Sequence, residues 1–281
     1  MGERLVRRLT NQKRVLLTGY IGVALLYGLC ILMLLVDKRV SIVLVNVATV
    51  LYFFVMRTLD RRYNRHFAMA TLQLVCEKQL DEVTVRSRGT ITGEELSHCG
   101  LFPVRSRGGA ACGISLEGKK GEARIRIGEL TVCFDREQPD AKSKVGILDG
   151  VWMELTRPVH GKGSFTLVPE TAFKKGVSPE FYERLGLKEF PIRKKDMDRN
   201  FNLYGSMDSD EKAAEEFLRS CKRLMKAAAG NGVIIRKTGG QLCIFLIGRR
   251  LTFDTPVRGK ITEDIVSWNR LPEITELLEF I

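Results

Sequence analysis

Two apolar runs separated by three charged residues constrain this chain more than any other feature. Val15 to Val36 is 22 residues long without a charge, Val40 to Met56 is a second such run, and only Asp37-Lys38-Arg39 lies between them. As helices rising 1.5 Å per residue they reach roughly 33 Å and 25 Å, against a bilayer hydrocarbon core of about 30 Å. Two membrane spans fit these lengths, and Arg57 can snorkel from the end of the shorter one. A cleaved signal peptide has a shorter apolar core ending in small residues, so the first span is expected to be retained.

The flanking charges set the orientation. Arg4, Arg7, Arg8, Lys13 and Arg14 precede the two runs and Arg57, Arg61, Arg62 and Arg65 follow them, whereas the turn holds only Lys38 and Arg39. The positive-inside rule then places both termini in the cytoplasm of a multi-pass inner-membrane protein. Neither run contains Asp, Glu, Lys, Arg or His, which argues against an ion or proton path. Asn46 and the small pairs Thr18/Gly22 and Ala24/Gly28 favour close helix contacts, either between the two spans or in a homo-oligomer. Seven cysteines without a C-x-x-C pair or a disulfide framework read as reduced thiols, as expected for a cytoplasmic domain.

The chain carries a net charge of +12. Residues 1–56 hold seven basic and two acidic residues and the rest thirty-eight against thirty-one, so the soluble part is moderately basic. That balance suits a surface lying against anionic lipid headgroups, with Arg14, Arg57, Arg61, Arg62 and Arg65 as candidate contacts. Nucleic acid is excluded as a partner, because Arg193-Lys194-Lys195 is followed at once by Asp196 and Asp198 and no aromatics are interleaved.

The chain divides into a basic tail (1–14), a transmembrane hairpin (15–56), a juxtamembrane helix (57–82) and a cytoplasmic domain (83–281). In the juxtamembrane helix, Met56, Leu59, Tyr63, Phe67, Ala70 and Leu74 make an amphipathic stripe. It is expected to pack on the soluble domain or to pair with a second copy. Seven strands are expected in the domain: Ala111–Glu117, Ala123–Phe134, Val145–Thr156, Ser164–Val168, Phe201–Gly205, Gly232–Lys237 and Leu242–Ile247. The apolar phase of the second strand switches after Gly128, which predicts a bulge there. Thr238-Gly239-Gly240-Gln241 signals a hairpin. Ala214, Phe217, Leu218, Cys221, Leu224, Met225 and Ala228 define one long covering helix, with a capping box at Asp208 and Glu211 and Gly230 as its stop. Leu271–Ile281 reads as a terminal helix after Pro272. The fold class is α+β with a mainly antiparallel sheet.

Several stretches resemble an uncharacterised bacterial domain-of-unknown-function family with an N-terminal two-span membrane hairpin and a cytoplasmic α+β domain. They are Glu94-Glu95-Leu96-Ser97-His98-Cys99-Gly100-Leu101-Phe102, Cys112-Gly113-Ile114 through Glu129-Leu130, Ile147-Leu148-Asp149-Gly150-Val151-Trp152, and Phe201-Asn202-Leu203-Tyr204. The resemblance covers about residues 15 to 280. It implies no activity, cofactor or catalytic residue.

Site chemistry is sparse. His98-Cys99 are sequence neighbours that point to different sides, and a thiol–imidazole pair needs separate elements. His160 lies in a glycine-rich turn that lacks the G-x-x-x-x-G-K-[ST] phosphate-loop spacing. His66, His98 and His160 stand far apart, so no zinc site and no metal or cofactor is expected. Trp152 and Phe165 read as core. Arg105 and Arg107, with Lys119 and Lys120, form basic loops that are candidates for touching lipid or an acidic protein partner. The sequence therefore points to a membrane-anchored, non-enzymatic interaction module. The alternatives are a membrane-bound hydrolase, for which folding would have to gather carboxylates such as Glu129, Asp135 and Asp149, or a subunit of an envelope complex.

Overall fold

Asp37 ends the first apolar helix and starts the second: extended at φ −148° and ψ 112°, its carboxylate accepts a hydrogen bond from the Arg39 backbone N–H at 2.8 Å. The computed structural model describes residues 2–105, 109–135, 145–157, 163–191, 201–227, 232–251 and 260–267. They form two compact units, one running to Val75 and including residues 260–267, the other spanning Cys76–Leu251.

In the first unit, α1 (Gly2–Leu34) takes in the basic residues before the apolar run as continuous helix. Then α2 (Lys38–Val50), a π-helical turn (Leu51–Met56) and α3 (Arg57–Glu77) run without a break. Both stretches are long and apolar enough to cross a bilayer. They pair along their length: Ser41 Oγ donates to the Cys30 carbonyl at 2.8 Å, Tyr27 and Thr49 hydroxyls lie 3.0 Å apart, and Gln12 meets His66 Nδ1. At Gly19 a Cβ would lie 2.6 Å from Met56 Sδ, so the bare backbone of Gly19 makes room for the Met56 side chain. The expected small-residue pairs do not make this contact. Thr18, Gly22, Ala24 and Gly28 face outward, and Asn46 bonds the Ile42 carbonyl of its own helix. The α3 stripe of Met56, Tyr63, Phe67, Ala70 and Leu74 is buried against Leu9 and Leu16 of α1 and Ile261 and Val266 at α8 (Glu263–Ser267). Nearly all exposed large apolar side chains lie between Val15 and Val55; among the described residues only Ile147, Leu185 and Met207 add to them.

The second unit runs β1 (Glu82–Arg86), α4 (Gly93–Cys99), β2 (Ala110–Lys120), β3 (Ala123–Asp135), β4 (Val145–Thr156), β5 (Phe165–Pro169), α5 (Glu170–Lys174), α6 (Pro179–Arg184), β6 (Leu187–Phe190), β7 (Phe201–Ser206), α7 (Glu211–Ala227), β8 (Gly232–Thr238) and β9 (Gln241–Ile247). The fold is α+β, and the nine strands form one antiparallel sheet in the order β1-β2-β3-β4-β9-β8-β5-β7-β6. All seven expected strands are present. Two were missed: β1 begins at Glu82, where helix was expected although α3 stops at Glu77, and β6 is four residues long with no alternation.

The switch of apolar phase in β3 has a different cause from the expected bulge. Register with β4 is unbroken from Arg124↔Thr156 to Asp135↔Val145, so β3 keeps its pleat through Gly128. The irregularity lies in β2, between Cys112 and Ser115. Ile125 and Ile127 therefore face one side of the sheet and Leu130, Val132 and Phe134 the other, and both sides are buried. On the first side α7 packs, with Phe217 stacked on Phe165 at 5.4 Å. On the second side α4 and the loop after it pack, with Phe102 edge-on to Phe245 at 4.9 Å and the Tyr182 hydroxyl donating to the Leu101 carbonyl at 2.7 Å. The α7 cap also differs: Asp210, not Asp208, accepts from the Ala213 N–H at 2.7 Å. Ala228, Gly230 and Leu271–Ile281 lie outside the described residues.

Close strand contact at Gly150 gives a test of this register. A Cβ there would lie 2.3 Å from the Leu246 carbonyl oxygen, whereas one at Gly113, in the β2 irregularity, meets nothing closer than 3.6 Å. Gly150→Ala should lower stability by about 1–3 kcal/mol, and Gly113→Ala should stay within about 0.5 kcal/mol, as read by denaturant unfolding of the full chain in detergent.

Candidate functional site

One side chain capable of polar interaction from each of the nine strands falls in a single row across the sheet. In spatial order these are Thr84, Glu117, Arg126, Glu154, Cys243, Arg236, Thr166, Tyr204 and Glu189, each directly opposite the next. The row lies on the face that α4 covers. Its ends are exposed, and its centre, Glu154 and Cys243, is buried.

The helix α4 meets this row with its own polar atoms. Thr92 caps it through a reciprocal box: Thr92 Oγ1 accepts from the Glu95 N–H at 3.3 Å, and Glu95 Oε2 accepts from the Thr92 N–H at 2.8 Å. The other carboxylate oxygen of Glu95 accepts from Arg126 Nη2 at 2.8 Å. Arg126 Nη1 reaches Glu154 Oε2 at 3.4 Å, and the guanidinium lies 5.5 Å from the centre of the Trp152 ring. Gln241 Nε2 donates to the other Glu154 oxygen and lies 3.8 Å from Cys99 Sγ. Beyond it, Arg236 Nη1 donates to the Gly100 carbonyl at 3.0 Å, where Gly100 takes φ 58° to end α4. Cys99 and Cys243 thiol sulfurs and a Glu154 oxygen all lie within 4.8 Å of one another, and all three residues are buried. A hydrogen bond with Cys99, and then burial, push the Cys243 thiol well above its usual range. Among the described residues, no acceptor meets the buried donors Arg236 Nε and Trp152 Nε1.

Two grooves open on this unit. The first, about 420 Å³, is lined by Glu82, Thr84, Glu95, Glu117, Lys119, Arg124 and Arg126 and runs beside the terminal strand β1. The second, about 290 Å³, gathers Glu129, Asp149 and Arg250 at the β2 irregularity. There the Thr131 hydroxyl donates to Asp149 Oδ1 at 2.6 Å and the Leu251 N–H donates to Glu129 Oε2 at 3.2 Å. Of the three carboxylates weighed for catalysis, two thus share a groove. The third, Asp135, accepts instead from Arg105 Nε at 2.8 Å.

The basic loop residues are separated by the sheet. Arg105 sits with Asp135 at one end of β3, while Lys119 lies opposite Arg124 at its other end and pairs with Glu82 at 3.1 Å. Eleven residues of strand, roughly 36 Å, divide them. Lys120 is exposed, and Arg107 and His160 lie outside the described residues. Arg14 on α1 and Arg57, Arg61, Arg62 and Arg65 on α3 are all exposed. Burial, then the cations Arg8, Arg65 and Arg62, lower the His66 pKa. His98 is exposed and Cys99 buried, as their adjacency implies, and Trp152 and Phe165 are core.

No known protein-family model, curated protein or solved structure matches this chain.

The Arg126 pairs carry testable stability. Glu154 loses its cationic partner in Arg126→Leu, and because Arg126 is a quarter exposed the cost should be about 2 kcal/mol, below the 3–5 usual for a fully buried pair. The double change Arg126→Leu with Glu154→Leu should recover most of it. Glu95 adds a pH dependence. Burial alone would raise its pKa, but the Thr92 N–H and Arg126 hold it below the usual carboxylate range. A carboxyl that binds its proton less tightly when folded contributes stability that is full above its unfolded value of about 4.3 and is lost as pH falls through the folded value. Acid titration of the unfolding midpoint should show that loss below about pH 4.3, with a shallower slope in Arg126→Leu.

Proposed function

We propose that the chain is a non-enzymatic binding module held at the bacterial inner membrane by a two-span hairpin, with both termini in the cytoplasm. The observation that carries the binding role is the groove beside β1: it is open, carries carboxylates and cations in close alternation, and borders a terminal strand. Glu82, Glu95 and Glu117 face Lys119, Arg124 and Arg126 there. Such a surface suits a polar protein segment laid along the sheet edge, through backbone hydrogen bonds and paired charges, better than a small substrate that must be enclosed. The anchor rests on the outward apolar side chains of Val15–Val55, which water would not tolerate at such density. Arg14, Arg57, Arg61, Arg62 and Arg65 are assigned to anionic headgroups, and outward-facing Thr18, Gly22, Ala24 and Gly28 leave a homo-oligomer open. On this reading the chain belongs with the two-span domain-of-unknown-function family that its motifs resemble.

A second reading, a membrane-bound hydrolase, draws on the Glu129 and Asp149 groove. Crosslinking in intact membranes separates the two. Photoreactive residues at Thr84 and Arg124 should capture one discrete partner, and one at exposed Glu215 on α7 should not. Equal capture at Glu215 would overturn the groove assignment. Loss of cellular function in a fully folded Asp149→Ala variant, with the crosslink intact, would promote the hydrolase. A reporter fused after Ile281 should be active only if it works in the cytoplasm.

A further inference from the structure

Three side chains at the centre of the polar row converge on one point from three elements. Cys99 comes from the last turn of α4, Glu154 from β4 and Cys243 from the position directly opposite it on β9. Their ligand atoms lie within 4.8 Å of one another and all three residues are buried. The Gln241 amide contacts both Cys99 Sγ and Glu154. We propose that Cys99, Glu154 and Cys243 bind one Zn²⁺ ion as a closed structural site, with the oxygen of the Gln241 amide as the fourth ligand.

The geometry needs little movement. Tetrahedral zinc, with sulfur at about 2.3 Å and oxygen at about 2.0–2.2 Å, holds its ligand atoms roughly 3.5 Å apart, so rotamer shifts of about 1 Å close the site. Turning the Gln241 amide over exchanges its nitrogen for its oxygen without moving the backbone. Two thiolates and a carboxylate are a donor set that favours zinc over calcium or magnesium. With no position left for water or substrate, the ion's part is structural, tying α4 to the two central strands of the sheet.

Charge balance decides whether the site tolerates the nearby guanidiniums. Binding releases one proton from each thiol to solvent and brings in two positive charges, so the net charge of the cluster is unchanged. Arg126 and Arg236 therefore meet no added repulsion overall. Arg236 gains from the exchange. Its Nε is a buried donor without an acceptor among the described residues, and Cys243 is its register partner on the neighbouring strand, so a zinc-bound thiolate would supply one.

The full chain purified in detergent should hold about one zinc per molecule, lost on treatment with a strong chelator. Added Co²⁺ should then give the thiolate-to-metal absorption of a tetrahedral sulfur site, and Zn²⁺ should displace it. Cys99→Ser and Cys243→Ser should abolish that absorption and weaken Co²⁺ binding by more than about tenfold, while exposed His98→Ala leaves both unchanged. Co²⁺ that binds the folded wild-type chain without the sulfur absorption, or not at all, overturns the proposal. So does metal content that survives both cysteine changes. A mass two hydrogens lower, with Cys99 and Cys243 joined in one peptide after purification without reductant, would assign the pair to a disulfide instead. Should a serine variant fail to fold, the cobalt spectrum and zinc content of the wild-type chain decide alone.

Discussion

A carboxylate inside the sheet has to be compensated, and Glu154 is that carboxylate. Leaving it buried and unpaired would cost several kcal/mol, more than a domain of ordinary stability can spare. The compensation comes from Arg126 on the adjacent strand and from Gln241 on the other side. Arg126 is in turn shared with Glu95, whose second oxygen starts α4. One side chain therefore sets both where α4 begins and where it docks. A substitution at Glu95 would remove the cap and the anchor together, so the two effects would not add as independent sites.

The same constraint explains why polar residues on nine strands align. A guanidinium at Arg126 cannot be answered from its own strand, where neighbours face the opposite side, so its partners must stand at the same level on adjacent strands. Around this row both faces are apolar, which lets α7 pack on one side and α4 to α6 on the other. In a sheet buried on both faces an unpaired polar group is costly. Glu154 has partners on both sides, whereas among the described residues no acceptor meets Arg236 Nε in the row or Trp152 Nε1 beside it.

Much of the fold was legible because its signals are local. Alternating apolar residues marked seven strands, Gly239 and Gly240 marked the β8–β9 turn, and a 3.6-residue stripe marked α7. β1 was hidden behind the periodicity of α3, and β6 is too short for a pattern. The phase switch at Gly128 was visible but ambiguous, since a bulge and a change of buried face give the same string of letters; only the unbroken β3–β4 register separates them. The site was almost illegible. One signal existed: Glu154 stands alone within Val151-Trp152-Met153-Glu154-Leu155, a buried apolar stretch, and a lone carboxylate there demands a partner. Nothing local named Arg126, Gln241 or Cys99, which join it only through register and through α4.

The helical unit poses the converse problem, an excess of charge rather than a buried one. Arg57, Arg61 and Arg65 recur four residues apart on the exposed face of α3, and like charges at that spacing destabilise a helix by about 0.2–0.5 kcal/mol per pair. Burial, and then the field of Arg8, Arg65 and Arg62, also favour the uncharged form of His66, whose Nδ1 meets the Gln12 amide. A helix face that crowds its arginines in this way gains from an external anion. The apolar band of Val15–Val55 ends beside these arginines, at the level where phospholipid headgroups would lie in the proposed orientation. The repulsion that weakens α3 alone then becomes attraction to the surface it is proposed to rest on.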